Sequence, residues 1–350
     1  MLSRVNNFDF LRLVFASFVI LTHSYPLSGQ GEADFLQQIT ANQISFSWLG
    51  VKGFFIISGF LIFKSMLRAE NLSDYFWKRL LRLFPALLVV LFLTIILAPS
   101  VYDSHVPYLH NAAVYSYIPQ NLSLYFLQYN IPGVFENNPY KGAINGSLWT
   151  ICYEFSMYVM VALLFVFRKS RFLKYLVAAM FVASIILLKF FPGFFNGLVF
   201  NRIALDSRHF YELMAYFVGG MLMTYVNFKN LKLKNAVLFA VTLLIVLSLI
   251  LKIFSVTGFL LLPIAVILFG TSSTKMINKI GEKFGDTSYG IYIYGFPVQQ
   301  TLMHFFKMDL LPLMFFSLTV SIILGWLSWH FIEKKALLQK DFVRNLRLPL

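Results

Sequence analysis

Residues 80–98 read LLRLFPALLVVLFLTIILA, with one basic residue near the start and no charge afterwards. A helix needs roughly 20 consecutive, mostly apolar residues to cross a bilayer, and this run has that length. It shows no two-residue alternation of apolar and polar side chains, so it does not read as a strand with one wet face. Working outward, residues 148–167, 172–191, 236–251 and 314–331 are similar in length and character. Across the 350 residues 59% are apolar, only 13% are charged, Phe alone contributes 40, and mean hydropathy is +0.72. A soluble domain is about one-quarter charged; this chain has too few charges to cover a soluble surface. The fold expected is all-α: a polytopic membrane bundle of about ten helices.

Apolar runs and their polar breaks place the spans near 8–27, 46–67, 80–100, 146–167, 172–192, 208–226, 235–251, 255–271, 287–306 and 312–332. The division of 235–271 into two spans rests on Lys252, Ser255 and Gly258. The first run carries Arg12 and has no small-residue cleavage site, so it is expected to be a spanning helix rather than a signal peptide. With the N-terminus in the cytoplasm, the inner side collects Arg4; Lys64, Arg68, Lys78, Arg79 and Arg82; Arg168, Lys169, Arg171 and Lys174; Lys229, Lys232 and Lys234; Lys275, Lys279 and Lys283; and Lys334, Lys335, Lys340, Arg344 and Arg347. That is about 21 of the 29 basic residues, against roughly six outside, the bias expected for cytoplasmic loops. Both termini are then cytoplasmic. The net charge of +14 reports orientation, not a nucleic-acid partner, because it is spread in short clusters between apolar runs. Cys152 is the only cysteine, so no intrachain disulfide forms.

One long external loop, about 101–145, contains Pro107, Pro119, Pro132, Gly133, Pro139 and Gly142 together with seven tyrosines between Tyr102 and Tyr140. Loops this long are usually functional or disordered, and so many aromatics argue against disorder. Tyrosine suits the membrane–water boundary and stacking on sugar rings. No internal repeat, low-complexity tract or second soluble domain is evident.

Ionisable groups within spans are costly and mark functional sites by default. Here they are Asp9, Arg12 and His23 on the first helix, Lys52 on the second and Glu154 on the fourth, with His209, Glu212, His304, His330 and Glu333 near span ends. Arg12 and His23 are 11 residues apart, about 20° from three full turns, so they share one helix face about 16 Å apart along the axis. Asp9, three residues before Arg12, is placed to pair with it; the bland alternative is a structural ion pair with His23 merely packed. Glu154 shares a face with Ser147, Thr150, Ile151 and Tyr158, and either orients a catalytic group or acts as a structural partner for Lys52 or Arg12. Lys78, Arg79 and Arg82 precede a span as a topology anchor or as a phosphate clamp, since guanidinium forks match phosphate oxygens. The small residues in 50–60 (GVKGFFIISGF) suit close helix packing. No metal-ligand spacing, phosphate-cradling loop or nucleophile elbow is present.

At these residues the chain resembles the membrane-bound acyltransferase 3 family, which O-acetylates bacterial polysaccharides, O-antigens and lipid-linked sugars. The resemblance lies in Phe8-Asp9-Phe10-Leu11-Arg12 with His23, 50–61 (GVKGFFIISGFL), 78–85 (KRLLRLFP), 147–154 (SLWTICYE), 288–297 (SYGIYIYGFP) and Phe331-Ile332-Glu333, six segments in order over nearly the whole chain. It implies a single transmembrane acyltransferase domain over 1–335 with a basic cytoplasmic tail at 336–350, in the bacterial inner membrane. It also implies acetyl-CoA as cytoplasmic co-substrate, no metal, and a glycan or polyprenyl-linked sugar as acceptor at the outer face. By resemblance His23 is the general base or a transient acetyl carrier, and Arg12 binds the donor or stabilises the oxyanion. Lys78, Arg79, Arg82 and Ser58 belong to the donor site. Glu154 joins the catalytic group, and Trp149, Ser147, Tyr153 and Tyr289 line the substrate pocket. Where many members have His two residues before the proline of the ninth-span motif, this chain has Gly295. It ends soon after the last span, so no fused hydrolase-like domain is expected and transfer is direct. Two alternatives remain at this stage: a transporter of a lipid-linked sugar, and transfer of another acyl group such as succinyl. Self-association into a homo-oligomer is open, and nucleic acid is not an expected partner.

Overall fold

The computed structural model describes residues 6–196, 200–228 and 233–345. Among them run α1 (Phe8–Leu27), α2 (Phe35–Ile39), α3 (Phe46–Arg68), α4 (Leu72–Leu97), α5 (Ala112–Leu122), α6 (Trp149–Leu163), α7 (Leu173–Phe190), α8 (Ser207–Leu222), α9 (Lys234–Ile250), α10 (Phe254–Gly270), α11 (Lys275–Phe284), α12 (Ser288–Phe306), α13 (Leu310–Ser328), α14 (Lys334–Leu338) and α15 (Phe342–Asn345). No strand occurs among the described residues; one isolated bridge joins Tyr102 to Val134. Of the basic residues used above for orientation, Arg4, Lys229, Lys232 and Arg347 lie outside the described residues, as do the side chains of Lys279, Lys283 and Arg344.

Each of the ten apolar runs falls on a helix. Six segments are long and apolar enough to cross a membrane: Phe8–Leu27, Phe46–Arg68, Leu72–Val101, Gly146–Phe167, Leu173–Phe190 and Leu310–Asp341. The other four fall short individually. α8, α9 and α10 have 16, 17 and 17 residues, and α12, with 19, carries Gln299 and Gln300. The chain is an all-helical, multi-pass membrane protein. Side chains such as Ile96, Leu163, Val166, Phe239, Ile250 and Phe315 are exposed on the outside of the bundle, a surface that suits lipid and not water.

The helix starts are written locally. Ser45 accepts from Trp48 N–H to begin α3, Asn71 from Asp74 N–H to begin α4, and Asp206 from His209 N–H to begin α8, each satisfying an orphan donor of the first turn. Asp34 caps α2 through Gln37 N–H and, fully buried, also accepts from the Thr22 hydroxyl and Phe46 N–H. One carboxylate thus ties α1, α2 and α3 together. Residues 101–145 are not a plain loop: α5 begins at the Asn111 cap and carries Pro119 in its last turns. The run of helix-compatible residues between the prolines is long enough for three turns once Asn111 supplies the start.

α3 lies at the centre of the bundle and is the most enclosed of the six candidate spans. Its small residues explain how. A Cβ on Gly50 or Gly53 would overlap Phe15 of α1, one on Gly59 would overlap the Phe217 carbonyl of α8, and one on Gly220 would overlap the Ile56 carbonyl of α3. In a membrane, where apolar burial does not distinguish a neighbour from lipid, such close contact is the main force holding helices together. Phe8 meets Phe60 and Phe18 meets Phe46, so α1 and α3 are antiparallel. Trp48 meets Tyr216 and Phe63 meets Tyr225, so α3 and the α8 segment are parallel. α1 and α12 are also parallel: Arg12 meets Asp286, and eleven residues further along α1 His23 meets Phe296.

Candidate active site

The residues singled out in the sequence divide between two levels of the bundle, linked by the parallel pair α1 and α12. At the first level lies a charge cluster. Arg12 Nη1 is 2.6 Å from Asp286 Oδ2, and Arg82 Nη2 is 2.7 Å from the same oxygen. Ser288 Oγ donates to Asp286 Oδ1 at 2.7 Å. Arg82 Nη1 reaches Glu333 Oε2 at 3.2 Å, and Glu333 Oε1 accepts from Ser328 Oγ at 3.1 Å. The Arg82 guanidinium also sits over the rings of Tyr289 and Trp329. Glu333 occupies a π-helical turn, Trp329–Glu333, which continues α13 into α14. Asp286 precedes α12 in the link from α11. Burial by itself would raise its carboxyl, but the Arg12 and Arg82 guanidiniums outweigh that and hold it at about 2.

Beside this cluster, Glu154 Oε1 accepts from Tyr158 Oη at 2.5 Å and lies 3.4 Å from Ser58 Oγ. Arg79 lies over Tyr75 and Tyr158 and donates from Nη2 to Ser65 Oγ at 3.2 Å. Its Nε is buried and has no hydrogen-bond partner.

At the second level, the His23 ring stands edge-on to Phe296, centroids 5.2 Å apart, with a buried Nδ1 that makes no hydrogen bond. Phe296 packs on Gly146, immediately before Ser147, whose Oγ is also buried and unpartnered. Two buried polar atoms near one phenyl ring thus have a hydrogen bond still to make. Thr150 and Tyr292 share a 2.7 Å hydrogen bond one turn below. Trp149 and Tyr153 lie in an open groove of about 680 Å³ with Tyr125, Tyr129, Arg202 and Asp206, and Trp149 stacks edge-on to His209.

Two expected pairings need correction, and the surroundings of other singled-out residues are now defined. The salt bridge of Arg12 runs to Asp286, not along its own helix to Asp9, because the turn before α12 delivers a carboxylate shared with Arg82. Lys52 pairs with Glu212 at 3.2 Å, not with Glu154, because α3 and α8 touch where those two face each other. Lys78 is held by Asp74 one turn earlier at 2.8 Å, and Arg82 is committed to two carboxylates, so neither presents an unpaired cation. Tyr289 donates to the Leu83 carbonyl at 2.9 Å, tying α12 to α4. Gly295 has a packing reason: a Cβ there would overlap Ile20 of α1. Asp286 and Glu212 went unassigned in the sequence. Asp286 stands two residues before the SYGIYIYGFP run, and only the tertiary contact shows that it closes the arginine cluster.

A family pattern described as an acyltransferase domain matches residues 5–330. The chain belongs to the acyltransferase 3 family. It is 29% identical over 342 residues, 95% of its own length and 96% of the other, to an O-acetyl transferase of Shigella phage Sf6. Over 172 residues, 45% of its length and 44% of the other, it is 31% identical to nodulation protein 10 of Rhizobium leguminosarum bv. viciae. No solved structure matches it. As a member of this family it is an acyltransferase, and the transporter alternative falls away. The matched region runs from just before α1 into the π-helical turn, so it takes in Arg12, His23, Arg82 and Asp286, while Glu333 lies just beyond it.

Proposed function

We propose that the protein is an inner-membrane O-acetyltransferase. It takes acetyl from cytoplasmic acetyl-CoA and places it on a sugar hydroxyl of a surface polysaccharide or its lipid-linked precursor. The observation that carries this is the stacking of two levels along one parallel helix pair: an arginine–carboxylate cluster at the Arg12 end and an unpartnered imidazole at the His23 end. The basic clusters of the sequence place the Arg12 end inside, where acetyl-CoA resides, and the His23 end outside. Contacts support this alternation. Segments assigned to one side meet one another, as Asn7 does Gly270 and Trp77 does Gln339 inside, and as Asn138 does Gln300 and Gln43 does Leu249 outside. Ten spans with both termini inside follow if α8, α9, α10 and α12 also cross. The relative from Shigella phage Sf6, similar over almost its whole length, carries the name O-acetyl transferase.

The chemistry is a direct acyl transfer. The acceptor hydroxyl gives its proton to the His23 imidazole as its oxygen attacks the thioester carbonyl. The carbon–sulfur bond breaks, CoA departs as a thiolate, and that thiolate takes the proton back from the imidazolium. The products are an O-acetyl ester and CoA-SH, with no net proton change. Arg12, held against Asp286, holds the donor, because the rise of about 16 Å between it and His23 keeps it from the reacting carbonyl. Among the basic residues in the early turns of α4, Arg79 best fits the CoA phosphates, because it keeps a buried, unpartnered Nε. Glu154, Ser58 and Tyr158 shape the donor side; Ser147, Trp149 and Tyr153 shape the acceptor side.

Membrane vesicles supplied with acetyl-CoA labelled in the acetyl group test the donor. Label is expected to enter an ester released by mild base. The rate for Arg79→Gln is expected to be about tenfold lower at subsaturating donor and to recover at high donor, as the loss of one charge-assisted phosphate contact requires. Equal labelling from succinyl-CoA would assign a different acyl group.

A further inference from the structure

α12 carries two adjacent glutamines, Gln299 and Gln300, and both are fully buried. Gln300 is satisfied at both ends. Its Nε2 donates to the Tyr140 and Ala143 carbonyls at 3.0 and 2.7 Å, and its Oε1 accepts from Asn138 Nδ2 at 2.7 Å. It clips the outer loop to α12. Gln299 is satisfied at one end. Its Nε2 donates to the Ile20 carbonyl at 2.8 Å and to Ser24 Oγ at 2.7 Å, while its buried Oε1 has no hydrogen-bond partner among the described residues. The Ile20 carbonyl can only accept, so the amide end facing it is the nitrogen and the spare end is an acceptor.

The partners of Gln299 bracket His23: Ser24 follows it directly and Ile20 lies three residues before it. On α12, Phe296, which meets the His23 ring, stands one turn before Gln299. Gln299 and His23 thus share the α1–α12 seam at one level. The His23 ring is half-buried, and its enclosed nitrogen is Nδ1, which makes no hydrogen bond among the described residues. Nε2 is then the nitrogen left to meet an acceptor hydroxyl. A neutral imidazole that takes a proton at Nε2 already carries one on Nδ1, and leaving an enclosed N–H without an acceptor is costly. A donor in need of an acceptor and an acceptor in need of a donor therefore stand at the same level of the bundle. They are not in direct contact, so the link is one molecule long: a water accepts from Nδ1–H and donates to Oε1.

We propose that Gln299 is the positioning residue of His23, holding its Nδ1–H through a bound water and so fixing the tautomer in which Nε2 acts as the base. This rests on the O-acetyltransferase reading and adds to it the group that orients its base. Gln299 exchanges no proton. When Nε2 takes the hydroxyl proton, the imidazolium keeps its Nδ1–H on the water, and returning the Nε2 proton to the CoA thiolate restores the starting tautomer.

The test reads that tautomer. The full chain, with isotope-labelled histidine, is reconstituted in phosphatidylcholine bilayers, and its ring nitrogens are recorded by solid-state NMR at a pH where His23 is neutral. The His23 signals are those lost in His23→Ala. Wild type is expected to carry the proton on Nδ1. Gln299→Met keeps the side-chain length and removes the acceptor. Its His23 is expected to become a mixture of both tautomers, with kcat about tenfold lower and the KM for acetyl-CoA unchanged. Gln299→Glu, whose neutral carboxyl supplies both an acceptor and a donor, is expected to restore the Nδ1–H form. Ser24→Ala cuts one hydrogen bond at the Nε2 end and leaves Oε1 in place, so it is expected to keep the wild-type tautomer and kcat. Equal losses of kcat in Ser24→Ala and Gln299→Met, with the tautomer unmoved in both, would reduce Gln299 to a helix clip and overturn the proposal. A wild-type His23 protonated on Nε2 overturns it without recourse to any variant. The Nδ1–H form in a protein that transfers no acetyl group would instead overturn the enzymatic reading and leave the hydrogen bond standing.

Discussion

Asp286 joins Arg12 of α1 to Arg82 of α4, and its own position is set by Ser288 and by the start of α12. Its carboxyl is held at about 2, below the usual carboxylate range, so the sign of the linkage is clear. The stabilisation it provides is present above the unfolded value near 4 and is lost as pH falls toward 2. Asp286 therefore stays ionised at working pH and keeps its link to both arginines there. Removing the charge leaves two enclosed guanidiniums with less compensation, a change that costs on the order of 3 kcal/mol when a buried pair is broken. Asp286→Asn is therefore expected to lower the melting temperature of the purified protein and to reduce acetyl transfer more than Asp286→Glu does. If Asn and Glu behave alike and like wild type, Asp286 does not position Arg12. At this scale the sequence singled out side chains and said little about their partners. Arg12, His23 and Glu154 stand out because ionisable groups are rare in spans. The partner of Arg12 lies 274 residues away and follows no local pattern, whereas Tyr158, which shares the helix face of Glu154, is only four residues from it.

At the scale of the element, α3 shows why a glycine-rich span was readable as a packing helix yet not as the hub of the bundle. Spacing alone indicates that small residues bring a neighbour close; it does not say which. The structure divides the work: Gly50 and Gly53 receive α1, Gly59 receives α8, and Ser58 faces Glu154. Gly59→Ala is expected to lose most of the folded, monodisperse protein on extraction, because the added methyl meets the rigid Phe217 backbone. Gly193→Ala, where a Cβ meets nothing within 4 Å, is expected to behave as wild type. Size-exclusion profiles of both variants read the difference, and equal profiles would remove close packing at Gly59 from the explanation. Helix ends were legible wherever a capping residue stood before an apolar run, as at Ser45 and Asn71. α5 was missed because prolines and tyrosines mask its periodicity.

For the whole molecule, apolar run lengths and charge asymmetry foretold an all-helical membrane protein, while the number of crossings depends on helices of 16 or 17 residues that neighbours partly enclose. Tilt and packing, not composition, decide whether such helices cross. The single cysteine helps here, since Cys152 is fully buried and leaves little background for thiol labelling. Lys141→Cys is expected to react with a membrane-impermeant maleimide in intact cells. Lys169→Cys and Lys340→Cys are expected to react only after permeabilisation. Labelling of Lys340→Cys in intact cells would put the two ends of the bundle on the wrong sides and separate Arg12 from the cytoplasmic donor.

The most direct measurement is the acetyl content of the host's surface glycan by proton NMR, in a deletion strain complemented with wild type, His23→Ala or Arg12→Ala at matched membrane abundance. Wild type is expected to restore the acetyl signals. Both variants are expected to leave them reduced by at least about a hundredfold, the range typical for loss of a general base. Full restoration by His23→Ala would contradict its role as the base, and a deletion that removes the glycan itself while leaving its acetyl ratio unchanged would contradict O-acetyl transfer as the function.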